Sequence, residues 1–556
     1  MNTAMQLLLR CDTISNRVVR DIITPGNSLD IILKKADSNY KTLQFIQDCS
    51  VMRGLGSPSY SMGFGIAFVI VGTIAMVIRV SNRITEHVLD SASCLKEGSL
   101  GFKLWKTVDL QFKAYLFNVA NPTEVQEKGD AAILVEYGPY VYDEHIEKIV
   151  IGVDESTDTI EYMVLKTLFF NGTKSGNLSE TDEVTILNPA YLGIIHTLAN
   201  MFPAFVGRFG NSIPLLFPDS NSIFVKGQVK DILFDGLPLI CDSATHRELN
   251  LICSFLKTKR PPILRTTPDA GVYAYSFFNK INSTAEGPYT AFRGTKDRFR
   301  AGDLSKFKGS AYSDDGSMKN CSIIKGSDSL YWPPIKSRES TLFSFISDLC
   351  RSLPSEYTKD DFHSGLMGHR YSPSENMWNG SDSSCYCTMA PNGSANCPTR
   401  GLLDLTKCQG APILMSWPHF LYGAESILSS IRGIRPDPKK HAAYVIIEPL
   451  TGTPLVGTKK MQLNMILQQQ QVRLLANVSR AVFPLVWVDE GLTVPTKLLA
   501  PIVVVHRVRR VLEFITWILL LFGILLIVHS CWMNAGRRYI GGSSGGIILP
   551  PENTLN

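Results

Sequence analysis

Two long uncharged stretches stand near opposite ends of this 556-residue chain, and any fold must be arranged around them. Residues 54–78 and residues 514–528, extendable to 533, contain no Asp, Glu, Lys or Arg. A helix rises about 1.5 Å per residue and the hydrocarbon core of a bilayer is about 30 Å thick, so both can cross it. Every N-glycosylation sequon lies between them, at Asn171, Asn177, Asn282, Asn320, Asn379, Asn392 and Asn477. That confinement points to a middle region that enters the secretory lumen. The expected layout is a two-span plasma-membrane protein with both termini cytosolic. It divides into an N-terminal segment (1–53), a first transmembrane helix (54–78), a glycosylated ectodomain (79–510), a second transmembrane helix (511–533) and a tail (534–556).

The cysteines argue the same way. Of twelve, nine fall between the spans, and six of these, Cys321, Cys350, Cys385, Cys387, Cys397 and Cys408, crowd into less than a hundred residues. In an oxidising compartment such crowding reads as a disulfide framework. The competing reading is a zinc site of Cys385, Cys387, Cys397 and Cys408. Structural zinc usually has two to four residues between paired cysteines, whereas only Tyr386 separates Cys385 from Cys387. Nine is odd, so at least one thiol stays free or pairs between molecules, and Cys94 beside the membrane is the candidate.

Charge adds one dissenting signal. Arg507, Arg509 and Arg510 precede the second span on the outer side, against the positive-inside tendency. Arg537 and Arg538 after it, and Arg10, Arg17, Arg20, Lys34, Lys35 and Arg53 before the first, favour cytosolic ends. The rule is weakest beside long translocated domains. A net charge of +5 with no basic stripe excludes an obvious nucleic-acid partner. The first apolar stretch is too long for a cleavable signal and fits a signal anchor. Residues 1–50 read equally as a short amphipathic helix, as unstructured chain, or as a leader bypassed by starting at Met52.

Between the spans, short apolar runs bounded by Gly, Pro and Asn mark strands at 132–135, 160–165, 444–447 and 461–467. Helical spacing appears at 190–205, 229–234 and 342–349. Strands recurring from start to end argue against two independent lobes and for one mostly antiparallel domain decorated by helices. Residues 189–217 stand out, with fourteen large apolar residues and Arg208 as the one charge. A buried helix pair is the plain reading. The sharper one is an apolar surface that meets lipid or another membrane protein. Pro203, Pro214 and Pro218 break the stretch into short pieces, which suits a mobile cap.

Catalytic patterns are lacking. The G-x-S-x-G match at residues 541–545 lies in a Gly-Ser tail with no strand before it or helix after it. His419 has no acid or thiol close by in sequence and reads as a satisfied core histidine. Asp314, Asp315 and Asp361 lack calcium-loop spacing. The chain is expected to be no enzyme and to use no cofactor or metal.

A family resemblance rests on an ordered set of strings: Lys96-Glu97-Gly98, Trp105, Asn121-Pro122-Thr123-Glu124-Val125, Tyr137-Gly138-Pro139-Tyr140, Trp332-Pro333-Pro334-Ile335, Asp348-Leu349-Cys350-Arg351-Ser352, Cys385-Tyr386-Cys387, Asp404-Leu405-Thr406-Lys407-Cys408, Pro418-His419-Phe420-Leu421 and Ile447-Glu448-Pro449-Leu450-Thr451-Gly452. Over roughly residues 54–533 the chain resembles the class B scavenger receptors, and within them the insect sensory neuron membrane protein branch. The resemblance implies an α+β fold: a large antiparallel β-barrel ectodomain with a helical crown and an internal hydrophobic tunnel, anchored by two transmembrane helices. It implies lipophilic small molecules and membrane lipids as partners, with an odorant receptor channel beside the sensory branch. It also implies the bridges Cys321–Cys385, Cys350–Cys408 and Cys387–Cys397. To these we add Cys241–Cys253, a pair with eleven residues between its members.

The crown falls on residues 189–217, which favours lipid contact there. Phe202, Phe205 and Phe209 share one helical face if helix persists past Pro203, and with Arg208 they form the expected ligand entrance. Some relatives meet acidic ligands with a crown lysine; here residues 189–217 hold none, and Lys226 comes later. Gly452 is a position where bulk is expected to block the tunnel. The expected function is a receptor that binds fatty acids or lipid-derived odorants and pheromones and passes them to the membrane or a partner receptor. The alternatives are a general lipid or lipoprotein scavenger and, less well supported, a two-span channel subunit. A pore needs polar or small lining residues, and residues 514–528 offer only Thr516 and Gly523.

Overall fold

The structure, a computed structural model, describes residues 58–242, 245–258, 264–313, 321–378, 385, 387–389 and 395–541. The expectations for residues 1–53, for most of the tail, for Asp314 and Asp315 and for the sequons at Asn320, Asn379 and Asn392 lie outside the described residues. Four helices carry the account: α1 (Pro58–Val77), α2 (Pro189–Met201), α3 (Asn250–Thr258) and α4 (Thr496–Gly541). The chain forms two compact units, residues 84–507 and a unit drawn from residues 1–83 and 508–556.

In the second unit α1 and the C-terminal part of α4 are long and apolar enough to cross a membrane. Both are apolar all round, as helices surrounded by hydrocarbon must be. Small residues bring them together. A Cβ added to Gly65 would lie 2.8 Å from the Gly523 carbonyl oxygen, and one on Gly523 equally close to that of Gly65. Phe68 and Phe522 meet edge-on beside them at 5.6 Å. Gly523 thus serves close helix packing of the kind common in bilayers.

Residues 84–507 are built on one 13-stranded antiparallel sheet. Its strands are β1 (Thr107–Val119), β2 (Leu134–Asp154), β3 (Thr159–Phe170), β4 (Ala285–Phe292), β5 (Leu304–Phe307), β6 (Leu342–Ile346) and β7 (Arg351–His363). They continue with β8 (Leu366–Ser372), β9 (Leu403–Asp404), β10 (Leu414–Ser416), β11 (Tyr444–Ile447), β12 (Pro454–Leu467) and β13 (Ala481–Thr493). The order is β5-β4-β3-β2-β1-β13-β12-β11-β8-β7-β6, with β9 and β10 joined to β12 through β10. A two-residue link, Gly326-Ser327, closes the ring. Leu304 on β5 donates its N–H to the Gly326 carbonyl (2.8 Å), while Phe345 on β6 donates to the Ser327 carbonyl (2.7 Å). Only glycine fits there: Gly326 has φ +75°, and a Cβ would sit 1.9 Å from the Phe343 carbonyl oxygen.

Alternation then sorts side chains by face. Val108, Leu110, Phe112 and Ala114 on β1 are buried while their neighbours are less so. They share the lumenal face with Ile146, Glu144 and Tyr142 of β2 and with Leu492, Glu490 and Val488 of β13. Helical spacing at 342–349 proves misleading: the segment is strand β6 followed by a 3₁₀ turn at Ser347–Leu349. A short apolar run fits either period, and pairing with β7 decides it. Residues 229–234 lead into a single π-type turn at Asp231–Asp235.

At one end of the barrel sit α2, α3, the strand pair Glu183–Leu187 with Phe224–Gln228, and the triplet of strands Leu237–Ile240, Leu264–Thr266 and Val272–Tyr275. Asn188 caps α2, its side chain accepting from the N–H of Ala190 (3.1 Å) and Tyr191 (3.0 Å) and from the Tyr275 hydroxyl (3.0 Å). The structure joins Cys241 to Cys253, Cys321 to Cys385, Cys350 to Cys408 and Cys387 to Cys397. The four sulfurs weighed for zinc are thereby spread over three bridges. Cys94 is free and buried. Of the described sequons, Asn177 and Asn477 are exposed and Asn171 and Asn282 half-buried.

Closure through Gly326 yields a direct test. Gly326→Ala should prevent accumulation of mature protein, whereas Gly491→Ala, where a Cβ meets nothing nearer than 3.8 Å, should mature normally. Glycosidase-resistant protein at wild-type level from Gly326→Ala would show that the ring does not depend on this link.

Candidate functional site in the crown and lumen

Pro203 ends α2 where the sequence suggested, because proline has no N–H to continue the ladder. The chain goes on as a 3₁₀ turn, Pro203–Phe205, and one helical turn, Val206–Phe209. The continuous helical face does not form, yet the three phenylalanines still associate. Phe202 meets Phe205 edge-on at 6.4 Å, and Phe205 stacks on Phe209 at 5.8 Å. All three border a cavity of about 370 Å³. Phe202 and Phe205 remain 47% and 45% exposed, which places them at its opening. Arg208 does not line it; the exposed guanidinium lies 5.7 Å from the Phe209 ring centre.

α2 adds Pro189, Ala190, Gly193, Ile194, Thr197 and Leu198 to the lining, within the stretch the sequence marked, and the other walls come from places it did not single out. Leu251, Ile252 and Phe255 of α3 form one wall, Ala411 and Pro412 another, and Met465 of β12 the floor. Tyr275, whose hydroxyl is taken by Asn188, supplies one of the few polar side chains on the wall. The chemistry is that of an oil-filled pocket: it offers area to a hydrocarbon chain and little to a charge. Lys226, the nearest downstream lysine, pairs on the surface with Glu183 at 2.5 Å.

Below the crown the lumen changes character. Lumenal alternation brings Lys166 within 3.1 Å of Glu490 and 3.3 Å of Glu144, while Lys459 pairs with Glu490 and lies 3.7 Å from Asp348. Nearby, Lys148 lies 2.5 Å from Asp328, which also accepts the Tyr162 hydroxyl at 2.7 Å. Buried ions persist only when paired. Burial pushes Glu144 well above its usual range, outweighing Lys166. For Glu490 burial acts the same way, but Lys166 and Lys459 together hold it well below. The lumen is therefore not uniformly hydrophobic: a second cavity of about 160 Å³ has apolar walls interrupted by this network. The Cys350–Cys408 bridge ties the Ser347–Leu349 turn, on the lumenal cavity, to the chain leading into Ala411 and Pro412, on the crown cavity.

His419 is fully engaged. Its Nε2 lies 2.5 Å from Glu136, its Nδ1 accepts the Arg435 N–H at 3.1 Å, and its ring stacks on His441 at 4.4 Å. Gly452 cannot serve as a tunnel plug. Its φ is +74° and a Cβ would strike the Trp332 carbonyl oxygen at 1.9 Å, so substitution there breaks the loop packing.

Barrel, crown, paired apolar helices and bridges meet a family model over residues 63–533, that of the CD36 family. The chain belongs to the CD36 family. Its relatives include sensory neuron membrane protein 2 of Heliothis virescens, 33% identical over 83% of this chain and 91% of that one. Sensory neuron membrane protein 2 of Manduca sexta is 33% identical over 78% and 85%. Sensory neuron membrane protein 1 of Apis mellifera is 31% identical over 77% and 82%. The chain is thus a CD36-family membrane protein whose two apolar helices fit two spans.

The raised Glu144 yields a pH test. Folding takes up a proton on Glu144 above the usual carboxylate range, so this group makes stability fall as pH rises through that window. Glu144→Gln removes the effect. Its melting temperature should fall less between pH 5 and pH 8 than that of the wild type. An equal or steeper fall would contradict the assignment.

Proposed function

We propose that this protein takes long-chain apolar ligands, fatty acid derivatives or lipid-derived odorants among them, into its crown cavity and releases them to the membrane or to a neighbouring receptor. The observation that carries this reading is the 370 Å³ cavity walled by hydrocarbon and opened by half-exposed Phe202 and Phe205. Each buried methylene gains about 0.8 kcal/mol over water, so a dry cavity lets a long chain avoid the costly aqueous step. Such hand-over needs no bond-breaking chemistry. The names of the relatives, sensory neuron membrane proteins, support a chemosensory setting. An odorant receptor channel as the neighbouring receptor, and a place in the plasma membrane with both ends cytosolic, complete the proposal. A general scavenger of lipids or lipoproteins is the second reading, favoured by membership in the family as a whole.

Two substitutions separate uptake from folding. Phe205→Asp places a charge at the mouth and should slow uptake of a fluorescent long-chain aldehyde while the protein still reaches the cell surface. Gly193→Leu fills the cavity from α2, where a Cβ meets only Pro412 at 4.0 Å, and improves helix propensity, so it should fold well and bind poorly. Retention of Phe205→Asp inside the cell would mark the residue as core. In cells expressing an odorant receptor channel, the wild type should speed onset and decay of responses more than it raises their maximum. Identical kinetics with and without the protein, across several lipid-derived ligands, would leave the scavenger reading in place.

A further inference from the structure

The outer wall of β2 and β3 carries one ring whose place in the sequence gives it a use. Phe169, near the end of β3, is 64% exposed. Its neighbours Leu168 and Phe170 belong to the interior, Phe170 meeting the Tyr142 ring at 5.4 Å. A single exposed apolar side chain is ordinary on a protein surface. The string around this one is not: Phe169-Phe170-Asn171-Gly172-Thr173 sets the ring two residues before a glycosylation sequon. Residues two apart on a strand share a face, so Phe169 and Asn171 lie on the same side, about 7 Å apart. The other described sequons, Asn177, Asn282 and Asn477, have Ser175, Lys280 and Leu475 at that offset.

The fold also aims the Asn171 amide. Its Oδ1 accepts the Lys174 N–H at 3.0 Å, and its Nδ2 donates to Asp143 at 2.6 Å. The other Asp143 oxygen takes the Lys174 ammonium at 2.6 Å, which fixes the acceptor in turn. Asp143 is the residue directly opposite Phe169 in the pairing of β2 with β3. Residues so opposed point to one face, with Cβ atoms about 4.5–5.5 Å apart. The Asn171 N–H donates to the Val141 carbonyl at 2.8 Å, which carries the pairing one step past Phe170. Nδ2 therefore lies beside the strand pair that bears the exposed ring, with one hydrogen spent on Asp143 and one left for substitution.

We propose that Asn171 carries an N-linked glycan whose first sugar packs on the Phe169 ring, so that this part of the barrel wall is a built carbohydrate platform. The proposal needs the ectodomain to enter the secretory compartment and is independent of what the cavities hold. Attachment joins C1 of the sugar to Nδ2 while the C1–O bond to the pyrophosphate of a lipid-linked oligosaccharide donor breaks, and the amide gives up one proton. The face of an aromatic ring is electron-rich, whereas the C–H bonds on one side of a pyranose are weakly positive, so the two attract. Contact also removes apolar surface from water. Asn282 is the rival source of sugar, since its Oδ1 accepts the Leu168 N–H at 3.0 Å. It presents oxygen to the strand where Asn171 presents nitrogen to the residue facing Phe169, and the geometry favours Asn171.

The test treats folded full-length protein from a eukaryotic host with peptide-N-glycosidase and reads release site by site from the Asn-to-Asp mass change. Phe169→Ser should speed release at Asn171 about three- to tenfold, the worth of one ring contact, and leave release at Asn477 unchanged. Phe169→Tyr keeps a ring and should match the wild type. If the serine variant fails to accumulate, Phe169→Leu carries the same comparison. Thr173→Ala removes the glycan while leaving the Asn171 bonds named above in place. In glycosylated protein Phe169→Ser should lower the melting temperature by about 1–3 °C, and in the Thr173→Ala background it should change nothing. An unmodified Asn171 beside a modified Asn477, a release rate indifferent to Phe169, or a melting effect that is lost with Thr284→Ala instead of Thr173→Ala would overturn the platform. Absence of sugar from every sequon would overturn the secretory reading of the ectodomain along with it, a different and recognisable failure.

Discussion

Closure of the sheet is the constraint on which the rest depends. Once Gly326-Ser327 ties β5 to β6, side chains that alternate along the strands face a shared interior. Apolar residues satisfy that setting without help, as Leu110, Phe112 and Val488 do. Lys166, Lys459 and Glu490 do so only as a mutually paired group, beside Glu144, which burial pushes toward its neutral form. The lumen is accordingly divided by chemistry, with hydrocarbon at the crown and a balanced ionic network further down. The same closure gives β5 and β6, the two ends of the strand order, backbone partners on their outer sides.

What the sequence made legible follows from how local each signal is. The two apolar helices that fit membrane spans are visible because transfer of about 20 apolar residues into hydrocarbon is decided by composition alone. The strands at 160–165, 444–447 and 461–467 fall within β3, β11 and β12, where period two and bounding turns agree. Three of the four cysteine pairings and the barrel with its crown entered through family strings, whose spacing carries information that no single-sequence periodicity holds; Cys241–Cys253 entered through the closeness of the two residues in sequence. The segment 342–349 went the other way because LFSFISDL suits a helix and a strand equally until β7 lies beside it.

The site was legible in part. Aromatic density and proline punctuation marked Phe202, Phe205 and Phe209, but local rules gave no sign that Leu251, Phe255 and Pro412 complete the wall. Arg208 was expected at the entrance because it lies in sequence among the phenylalanines of an apolar stretch; its side chain is exposed and does not line the cavity. The ionic network was invisible because its partners meet through sheet register, Lys166 and Glu490 being 324 positions apart. The same holds for His419, whose acid, Glu136, lies 283 positions away.

The crown is positioned to accept a chain because α2 is broken early, α3 is held to its neighbouring strand by Cys241–Cys253, and the loop at Pro412 is held by Cys350–Cys408. Two bridges thus fix the walls while the Pro203 break leaves the mouth irregular. Photolabelling of purified full-length protein with a long-chain diazirine, followed by peptide mass spectrometry, tests this most directly. The account predicts saturable labelling of peptides covering residues 189–209, 250–258 and 410–413, displaced by unlabelled long-chain ester. Labelling confined to the two spanning helices, or not displaced by excess ligand, would contradict it.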